Sequence, residues 1–246
     1  MGAFFDGGII MFNLYSYFTK QEIILWSVSM LFILSSFLIF DRENYLTLVA
    51  SFIGVTSLIF CAKGNPFGQF LMVIFSLLYG VISYTFAYYG EMITYVGMTA
   101  PMALFSLISW LRNPYQGNKS EVKVNVLKGK EVVFMFILTA IITFIFYFIL
   151  KVFHTANLIP STISVTTSFL AVYLTFRRSP FYAAAYAAND IILIVLWFMA
   201  SFANSSYFSV TICFIVFFIN DLYGFMNWSK MQKRQQMSTQ ELALES

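Results

Sequence analysis

Eight long apolar segments follow one another along this 246-residue chain, and short stretches between them collect most of the polar and charged residues. A helix needs about 20 apolar residues to cross the roughly 30 Å hydrocarbon core of a bilayer. The pattern therefore predicts an all-α integral membrane protein with eight transmembrane helices, at about residues 23–40, 45–62, 67–88, 92–111, 132–153, 158–176, 181–202 and 207–228. Pro101 lies inside the fourth segment, where it should kink the helix and leave backbone groups for other parts of the protein to satisfy.

The composition agrees with this class and excludes an ordinary soluble domain. Hydrophobic residues make up 60% of the chain, charged residues 10%, and the mean hydropathy is +0.79. The net charge of +3 does not indicate a nucleic-acid partner, because the basic residues of a membrane protein report its topology. Residues 1–17 lack a basic n-region, so we expect no cleaved signal peptide.

The basic residues fall almost entirely on one side of the predicted spans. With the N-terminus placed in the cytoplasm, twelve of the fourteen Lys and Arg residues lie inside, and only Arg42 and Lys151 lie outside. This positive-inside distribution predicts that both termini are cytoplasmic. The tail after Trp228 is basic near the membrane, and we interpret it as a solvated anchor.

Two stretches of the chain resemble each other. One runs from Asn65-Pro66-Phe67 to Trp110, the other from Ser179-Pro180-Phe181 to Trp228; the Pro-Phe pairs are 114 residues apart and the Trp residues 118. Each stretch, taken together with the span before it, forms a triplet, a group of three spans. A single linker span between the two triplets lets both enter the membrane from the same side, as in SWEET-like 3+1+3 parallel repeats. Chance similarity between apolar segments is the alternative.

This organisation predicts five regions of the chain. They are an N-terminal tail with an extra helix (1–44), a first three-helix bundle (45–111), a cytoplasmic loop with the linker helix (112–157), a second three-helix bundle (158–228) and a cytoplasmic tail (229–246).

Two carboxylates, Asp190 and Asp221, interrupt the predicted spans. A charge at the bilayer centre costs about 2.5–3.5 kcal/mol on insertion scales, so such acids usually face a cavity, a partner or a substrate path. Asp190 either binds a polar substrate or ties one helix to another by hydrogen bonds. Asp221 lies nearer the cytoplasmic end, and the same two interpretations stay open for it.

The seventh span carries the densest group of candidate binding residues. Tyr182, Tyr186 and Asn189 share one helix face, Asp190 adjoins it and Trp197 lies about two turns further on. Amide and carboxylate groups accept hydrogen bonds from sugar hydroxyls, and aromatic rings stack on a flat ring or attract a cationic one. The further candidates are Gln69, Tyr79, Tyr95, Asn220 and Tyr223.

No sequence motif predicts catalysis, a metal or a cofactor. Cys61 and Cys213 lie in apolar segments without metal-ligand spacing, and His154 has no catalytic companions. The chain contains no phosphate-binding loop, zinc-protease or serine-hydrolase motif. We therefore expect no enzyme, no catalytic residue, no metal and no cofactor.

Residues 45–228 resemble the PnuC family of bacterial vitamin and nucleoside transporters. The segment Tyr89-Gly90-Glu91-Met92 is similar to the family's outer turn. The segment from Asp221 to Trp228 is similar to the family's closing Asn-Ile-Tyr-Gly-Trp-x-x-Trp pattern, and Asn189 stands where the family has an Asn. The resemblance implies passive uptake of nicotinamide riboside or a related compound across the bacterial inner (plasma) membrane. It also implies trapping of the substrate by intracellular phosphorylation, and a homotrimer with one path in each protomer.

Several residues depart from the family pattern. Tyr182 and Ala185 stand in place of a Trp pair, Ala103 in place of an amide, and Asp190 and Asp221 in place of amide or apolar residues. A deoxyribonucleoside or a thiamine-like compound therefore also fits. The other readings are a proton-coupled transporter using Asp190, an intramembrane enzyme and a membrane adaptor.

We hypothesise that the protein is a facilitator that transports a nucleoside-like small molecule by alternating access. The first candidate substrate is nicotinamide riboside. Asn189 and Asp190 would bind sugar hydroxyls and Asp221 would act near the inner gate. The stacking residues would be Tyr79, Tyr186 and Trp197.

Overall fold

The computed structural model describes residues 17–86, 88–155 and 157–245. Within these ranges, eight helices are long and apolar enough to cross a membrane. They are α1 (Lys20–Phe40), α2 (Tyr45–Ala62), α3 (Pro66–Thr85), α4 (Tyr89–Leu111), α5 (Gly129–Val152), α6 (Leu158–Phe176), α7 (Phe181–Ser201) and α8 (Tyr207–Glu245). The prediction of an all-α, eight-span protein is confirmed. The expectation about a signal peptide concerns residues 1–17, of which all but Tyr17 lie outside the described residues.

Local sequence signals explain where the helices begin. Thr19 caps α1 by accepting a hydrogen bond from the Glu22 backbone N–H at 3.3 Å, and Glu22 accepts one from the Thr19 N–H at 2.7 Å. Asn65 caps α3 in a similar way, with Pro66 in the first turn, where its missing N–H costs nothing. Gly64 precedes them with φ +68°, a conformation that favours glycine.

Several helices begin earlier than predicted, and two of them bring buried acids into the bundle. α1 includes Glu22 and α4 includes Glu91, and each side chain is only 2% exposed. Both acids lie in a first helical turn, where the helix dipole favours negative charge. Glu22 also pairs with Lys63 at 3.1 Å. The sequence pattern had assigned both residues to flanking loops.

α4 is interrupted near the predicted kink. Its α-helical part Tyr89–Thr94 passes into a π-helical turn at Tyr95–Thr99 and resumes at Ala100–Leu111. Pro101 lies in the first turn of the last part, where the regular hydrogen-bond ladder must break because proline has no N–H. The Thr99 hydroxyl donates to the Thr94 carbonyl at 3.3 Å across this turn. The wider turn directs Tyr95 and Thr99 toward the centre of the protein.

Six helices enclose the centre of the bundle. Contacts run in a closed circuit from α2 to α3, α4, α6, α7, α8 and back to α2. α1 packs outside this ring on α2 and α8, and α5 packs outside it on α6 and the start of α4. α5 has three buried residues, Met135, Thr139 and Leu150, and about half of its residues are exposed, so a broad face of the helix is available to lipid.

The loop between α4 and α5 folds into a hairpin that was not predicted. Strand β1 (Pro114–Tyr115) pairs antiparallel with β2 (Asn118–Val122). The Val122 N–H donates to the Gly64 carbonyl at 2.9 Å, and the Asn125 N–H donates to the Arg178 carbonyl at 3.0 Å. The three connections α2–α3, α4–α5 and α6–α7 therefore meet at one end of the bundle, which we call the hairpin end; the opposite end is the far end.

α8 continues beyond Trp228 instead of ending there. The residues after it include no proline or glycine that would stop a helix. Gln235 accepts from the Val124 N–H at 2.8 Å and donates to the Val122 carbonyl at 3.1 Å, while Arg234 pairs with Glu121. The tail thus docks on the hairpin, which a purely solvated anchor would not do.

Candidate functional site

A closed cavity of about 30 Å³ lies at the centre of the helix ring. All six ring helices contribute to its wall, which consists of Leu58, Met72, Phe75, Tyr95, Thr99, Ser168, Tyr186, Asn189, Asp190, Phe214, Phe217 and Asp221. A space of this size holds about one water molecule, whereas pockets for small organic ligands measure about 300–1,000 Å³. The cavity is therefore too small for such a ligand in this structure, and binding one requires the ring to expand.

Asn189 is held in the wall by three hydroxyl groups of α6. Its Oδ1 accepts from Thr167 at 2.8 Å, from Ser168 at 3.0 Å and from Ser164 at 3.3 Å. These bonds occupy the carbonyl, so the amide N–H groups are the part of the side chain that can donate to a ligand. The same bonds tie α7 to α6, and Asn189 thus fits both interpretations of a polar residue in this span.

Asp190 of α7 and Asp221 of α8 bring their carboxyl groups within hydrogen-bonding reach of each other. They are only 3% and 4% exposed, and Oδ2 of Asp190 has no hydrogen-bond donor among the described residues. Two ionised carboxylates both accept and cannot bond to each other. A hydrogen bond between them requires one of the two groups to carry a proton.

An aromatic cluster closes the cavity on the side of the far end. Trp197 is fully buried, and its ring centroid lies 4.7 Å from that of Tyr88, 5.7 Å from Tyr207 and 6.2 Å from Tyr79. Tyr79 in turn lies 4.4 Å from Tyr95, which lines the cavity. The Trp197 indole N–H and the Tyr79 hydroxyl face each other without hydrogen-bond geometry. We call Tyr79, Tyr88, Trp197 and Tyr207 the far-end cluster.

A second cluster closes the cavity on the side of the hairpin end. The rings of Trp110 and Trp228 lie 5.3 Å apart, and Tyr182 packs edge-on against them at 6.3 and 4.9 Å. Both tryptophans are fully buried and Tyr182 is 2% exposed. We call these three residues the hairpin-end cluster. The two clusters therefore lie on opposite sides of the cavity.

The structure brings five of the eleven predicted site residues to the cavity wall: Tyr95, Tyr186, Asn189, Asp190 and Asp221. Three others, Tyr79, Tyr182 and Trp197, belong to the two clusters that close it.

The remaining three predicted residues lie away from the cavity and have protein partners. Gln69 donates to the Cys61 sulfur at 3.2 Å. Asn220 donates to the Ser29 hydroxyl at 2.9 Å, and the Tyr223 hydroxyl donates to Glu22 at 3.1 Å. Asn220 and Tyr223 thus fix α8 to α1, outside the ring.

Sequence reasoning did not single out the hydroxyl groups of α6 that hold Asn189. Ser164, Thr167 and Ser168 follow the i, i+3, i+4 spacing of one helix face, which could have marked them. Burying their hydroxyl groups costs little free energy, because each can also form a hydrogen bond to the backbone of its own helix. Among the described residues, no three His, Cys, Asp or Glu side chains come together as metal ligands.

A ring of membrane-spanning helices around a closed aromatic and polar cavity defines a transporter-like membrane protein. The model of the family described as "Nicotinamide mononucleotide transporter" matches residues 44–230. The chain belongs to this family, and the resemblance seen in its sequence is confirmed.

Two known proteins illustrate the similarity. The chain is 25% identical over 215 residues to the nicotinamide riboside transporter PnuC of Neisseria mucosa, a match that covers 85% of this chain and 81% of the relative. Its fold is similar to the solved structure described as "Crystal structure of the Vitamin B3 transporter PnuC", with a TM-score of 0.79 and 23% identity. That match covers 90% of this chain and 96% of the solved one.

Proposed function

We propose that this protein mediates facilitated uptake of nicotinamide riboside. The observation that carries the proposal is the cavity between the two aromatic clusters, in a member of a family of nicotinamide nucleotide transporters. Its wall combines the amide of Asn189 for the ribose with the rings of Tyr95 and Tyr186 for the nicotinamide. The relative from Neisseria mucosa is named for this substrate.

Transport would proceed by alternating access. The bundle α2–α4 would rock against α6–α8, and the far-end and hairpin-end clusters would open in turn. The cavity would expand with each opening, because about 30 Å³ is too small for a nucleoside. No ATP-binding motif is present in the sequence, so the gradient would be maintained by intracellular phosphorylation, which traps the product as an anion.

The arrangement in the cell is part of the same proposal. Twelve of the fourteen basic residues lie at the hairpin end or in the tail, which supports a cytoplasmic location for that end and for both termini. The membrane would be the bacterial inner membrane. The assembly would be a homotrimer with one path per protomer, which light scattering on the detergent-solubilised protein would test.

Two alternatives keep the same fold. The first alternative is a different substrate, a thiamine-like compound or a deoxyribonucleoside, because Tyr182 and Ala185 replace the tryptophans that the family uses. Proton coupling through Asp190 is the second, favoured by its contact with Asp221. A proton gradient would then drive accumulation in proteoliposomes, whereas a facilitator only equilibrates its substrate.

The direct test is uptake into proteoliposomes and calorimetric binding with nicotinamide riboside, thiamine and thymidine. We expect saturable binding of nicotinamide riboside that is reduced at least about tenfold by Asn189→Ala, since a lost hydrogen-bond group in a polar site costs this much or more. Asn204→Ala, in an exposed loop at the far end, is the matched control. If only thiamine or thymidine bound saturably, the substrate assignment would change and the proposed binding site would stay the same.

A further inference from the structure

The Asp190–Asp221 pair is a buried acidic group without a positive partner in the part of the chain that the structure describes. None of the described residues that form the cavity wall is a Lys, Arg or His. The ion pairs among the described residues lie elsewhere and join Lys63 to Glu22, Arg177 to Glu131 and Arg234 to Glu121. An acid in the middle of a membrane protein is costly, and it is usually retained where it meets a counter-charge during function.

The described residues of the helices around the pair supply no such counter-charge. The ionisable groups near it are Cys61 on α2, Tyr95 on α4, Tyr182 and Tyr186 on α7 and Cys213 on α8. All five are neutral or negative in every protonation state. α3 and α6 face the cavity with apolar and hydroxyl side chains. A positive charge beside the pair must therefore come from a ligand.

The two carboxyl groups are placed to receive such a ligand. Asp190 lines the cavity, and its Oδ2 is buried and lacks a donor among the described residues. Tyr95 and Tyr186 stand in the same wall, where aromatic faces add attraction for a cation. Asn189 and the hydroxyls of α6 form a separate, uncharged part of the wall.

We propose that the Asp190–Asp221 pair is the charge-recognition element of the cavity and selects a permanently cationic flat ring over a neutral ring of the same shape. This rests on the proposed function, because nicotinamide riboside carries a pyridinium ring. The pair takes the ring end of the substrate, and Asn189 takes the ribose end. Asp190 therefore binds the charged ring and not the sugar hydroxyls.

The test compares two ligands that differ in charge and hardly in shape: nicotinamide riboside, a cation, and its neutral 1,4-dihydro form. Calorimetry on purified protein should show a preference of about tenfold or more for the cation, the order expected of a desolvated charge contact. Asp190→Asn and Asp221→Asn keep the side-chain shape and should each lower this preference, because the affinity for the cation falls more than the affinity for the neutral form. Asp41→Asn removes a buried acid at the far end, 5% exposed, and should keep the preference.

The outcomes separate this proposal from the proposed function. Equal affinity of the wild type for both ribosides, or an unchanged preference in both Asn variants, overturns the charge-recognition role and leaves nicotinamide riboside as the substrate. If neither riboside binds, the substrate assignment fails instead. The same four proteins are then compared with cationic thiamine and neutral thymidine, and binding of the neutral compound in preference to thiamine overturns charge recognition.

Discussion

The indole rings of Trp110 and Trp228 lie 5.3 Å apart at the hairpin end, and each donates a hydrogen bond to the opposite half of the ring. Trp110 on α4 donates to the Thr175 carbonyl at 2.9 Å, and Trp228 on α8 donates to the Cys61 carbonyl at 2.8 Å. Thr175 and Cys61 are the penultimate residues of α6 and α2. The last helix of each predicted triplet thus donates to a carbonyl in the last turn of the first helix of the other, beside the backbone N–H that this carbonyl also accepts.

The residues that precede the two tryptophans repeat the relationship. The Ser109 hydroxyl donates to the Phe176 carbonyl at 2.9 Å, and the Asn227 amide donates to the Ala62 carbonyl at 2.7 Å. Phe176 and Ala62 are the last residues of their helices. Two independent pairs of exchanged contacts support a two-fold relation between residues 45–111 and 158–228, as a parallel repeat requires.

This arrangement predicts that Trp110→Phe and Trp228→Phe loosen the hairpin-end cluster to a similar degree. Phenylalanine keeps an aromatic ring but removes the indole hydrogen bond to the carbonyl of Thr175 or Cys61, at a cost of about 0.5–1.5 kcal/mol, because each carbonyl keeps a backbone donor. Cys61 is 2% exposed and lies beside the cluster, so its reaction with a membrane-permeant thiol reagent should become faster. The measurement is the labelling rate of Cys61 in a Cys213→Ser background.

The control for this experiment is Trp26→Phe. Trp26 lies on α1 outside the ring and donates to Thr56 at 3.2 Å, so the same substitution should leave the labelling of Cys61 unchanged. Acceleration in only one of the two ring variants would contradict an equivalent role for the two tryptophans.

The far-end cluster should respond independently of the hairpin end. Trp197→Ala removes the ring on which Tyr88 and Tyr207 pack, and we expect it to open the far end. Cys213 lies in the same apolar core as Trp197, so its labelling in a Cys61→Ser background should accelerate. Phe198→Ala, at a neighbouring residue that is 46% exposed, serves as the control. Equal labelling of Cys213 in both variants would show that Trp197 does not close this end.

Thr167→Val should weaken substrate binding through Asn189. The Thr167 hydroxyl makes the shortest of the three bonds to the Asn189 carbonyl, at 2.8 Å, and its loss frees the amide to rotate. We expect KM for uptake to rise about three- to tenfold with little change in the maximal rate, from a loss of about 0.5–1.5 kcal/mol. The neighbouring Thr166 bonds to Thr143 of α5 at 2.9 Å, outside the ring. A rise in KM for Thr166→Val as large as that for Thr167→Val would exclude a specific role of the Asn189 contact.

The sequence was sufficient for the membrane spans but not for the rotation of each helix. Hydrophobic length predicted the eight helices, and the cost of a buried acid singled out Asp190 and Asp221, which line the cavity in the structure. Consecutive helical residues point about 100° apart. Asn220, next to Asp221, therefore reaches Ser29 of α1 and not the cavity.

Contacts between distant segments also could not be predicted from the sequence pattern. The approach of Asp190 to Asp221 depends on how α7 packs on α8, which hydrophobic periodicity does not determine. The hairpin at 114–122 is also held by partners from elsewhere in the chain, the Gly64 carbonyl and Gln235.

The docked tail gives the last prediction. Gln235 is 6% exposed and satisfies the Val124 N–H and the Val122 carbonyl of the hairpin segment. Gln235→Ala leaves both backbone groups without a partner and should lower the free energy of unfolding by about 1–3 kcal/mol. Hydrogen exchange should show faster exchange at the Val124 amide, while the affinity for substrate stays unchanged because the tail lies away from the cavity. Gln236→Ala changes an exposed neighbour on the same helix and should leave the exchange rate as it is. Unchanged protection of Val124 in the Gln235 variant would mean that the hairpin is held without the tail.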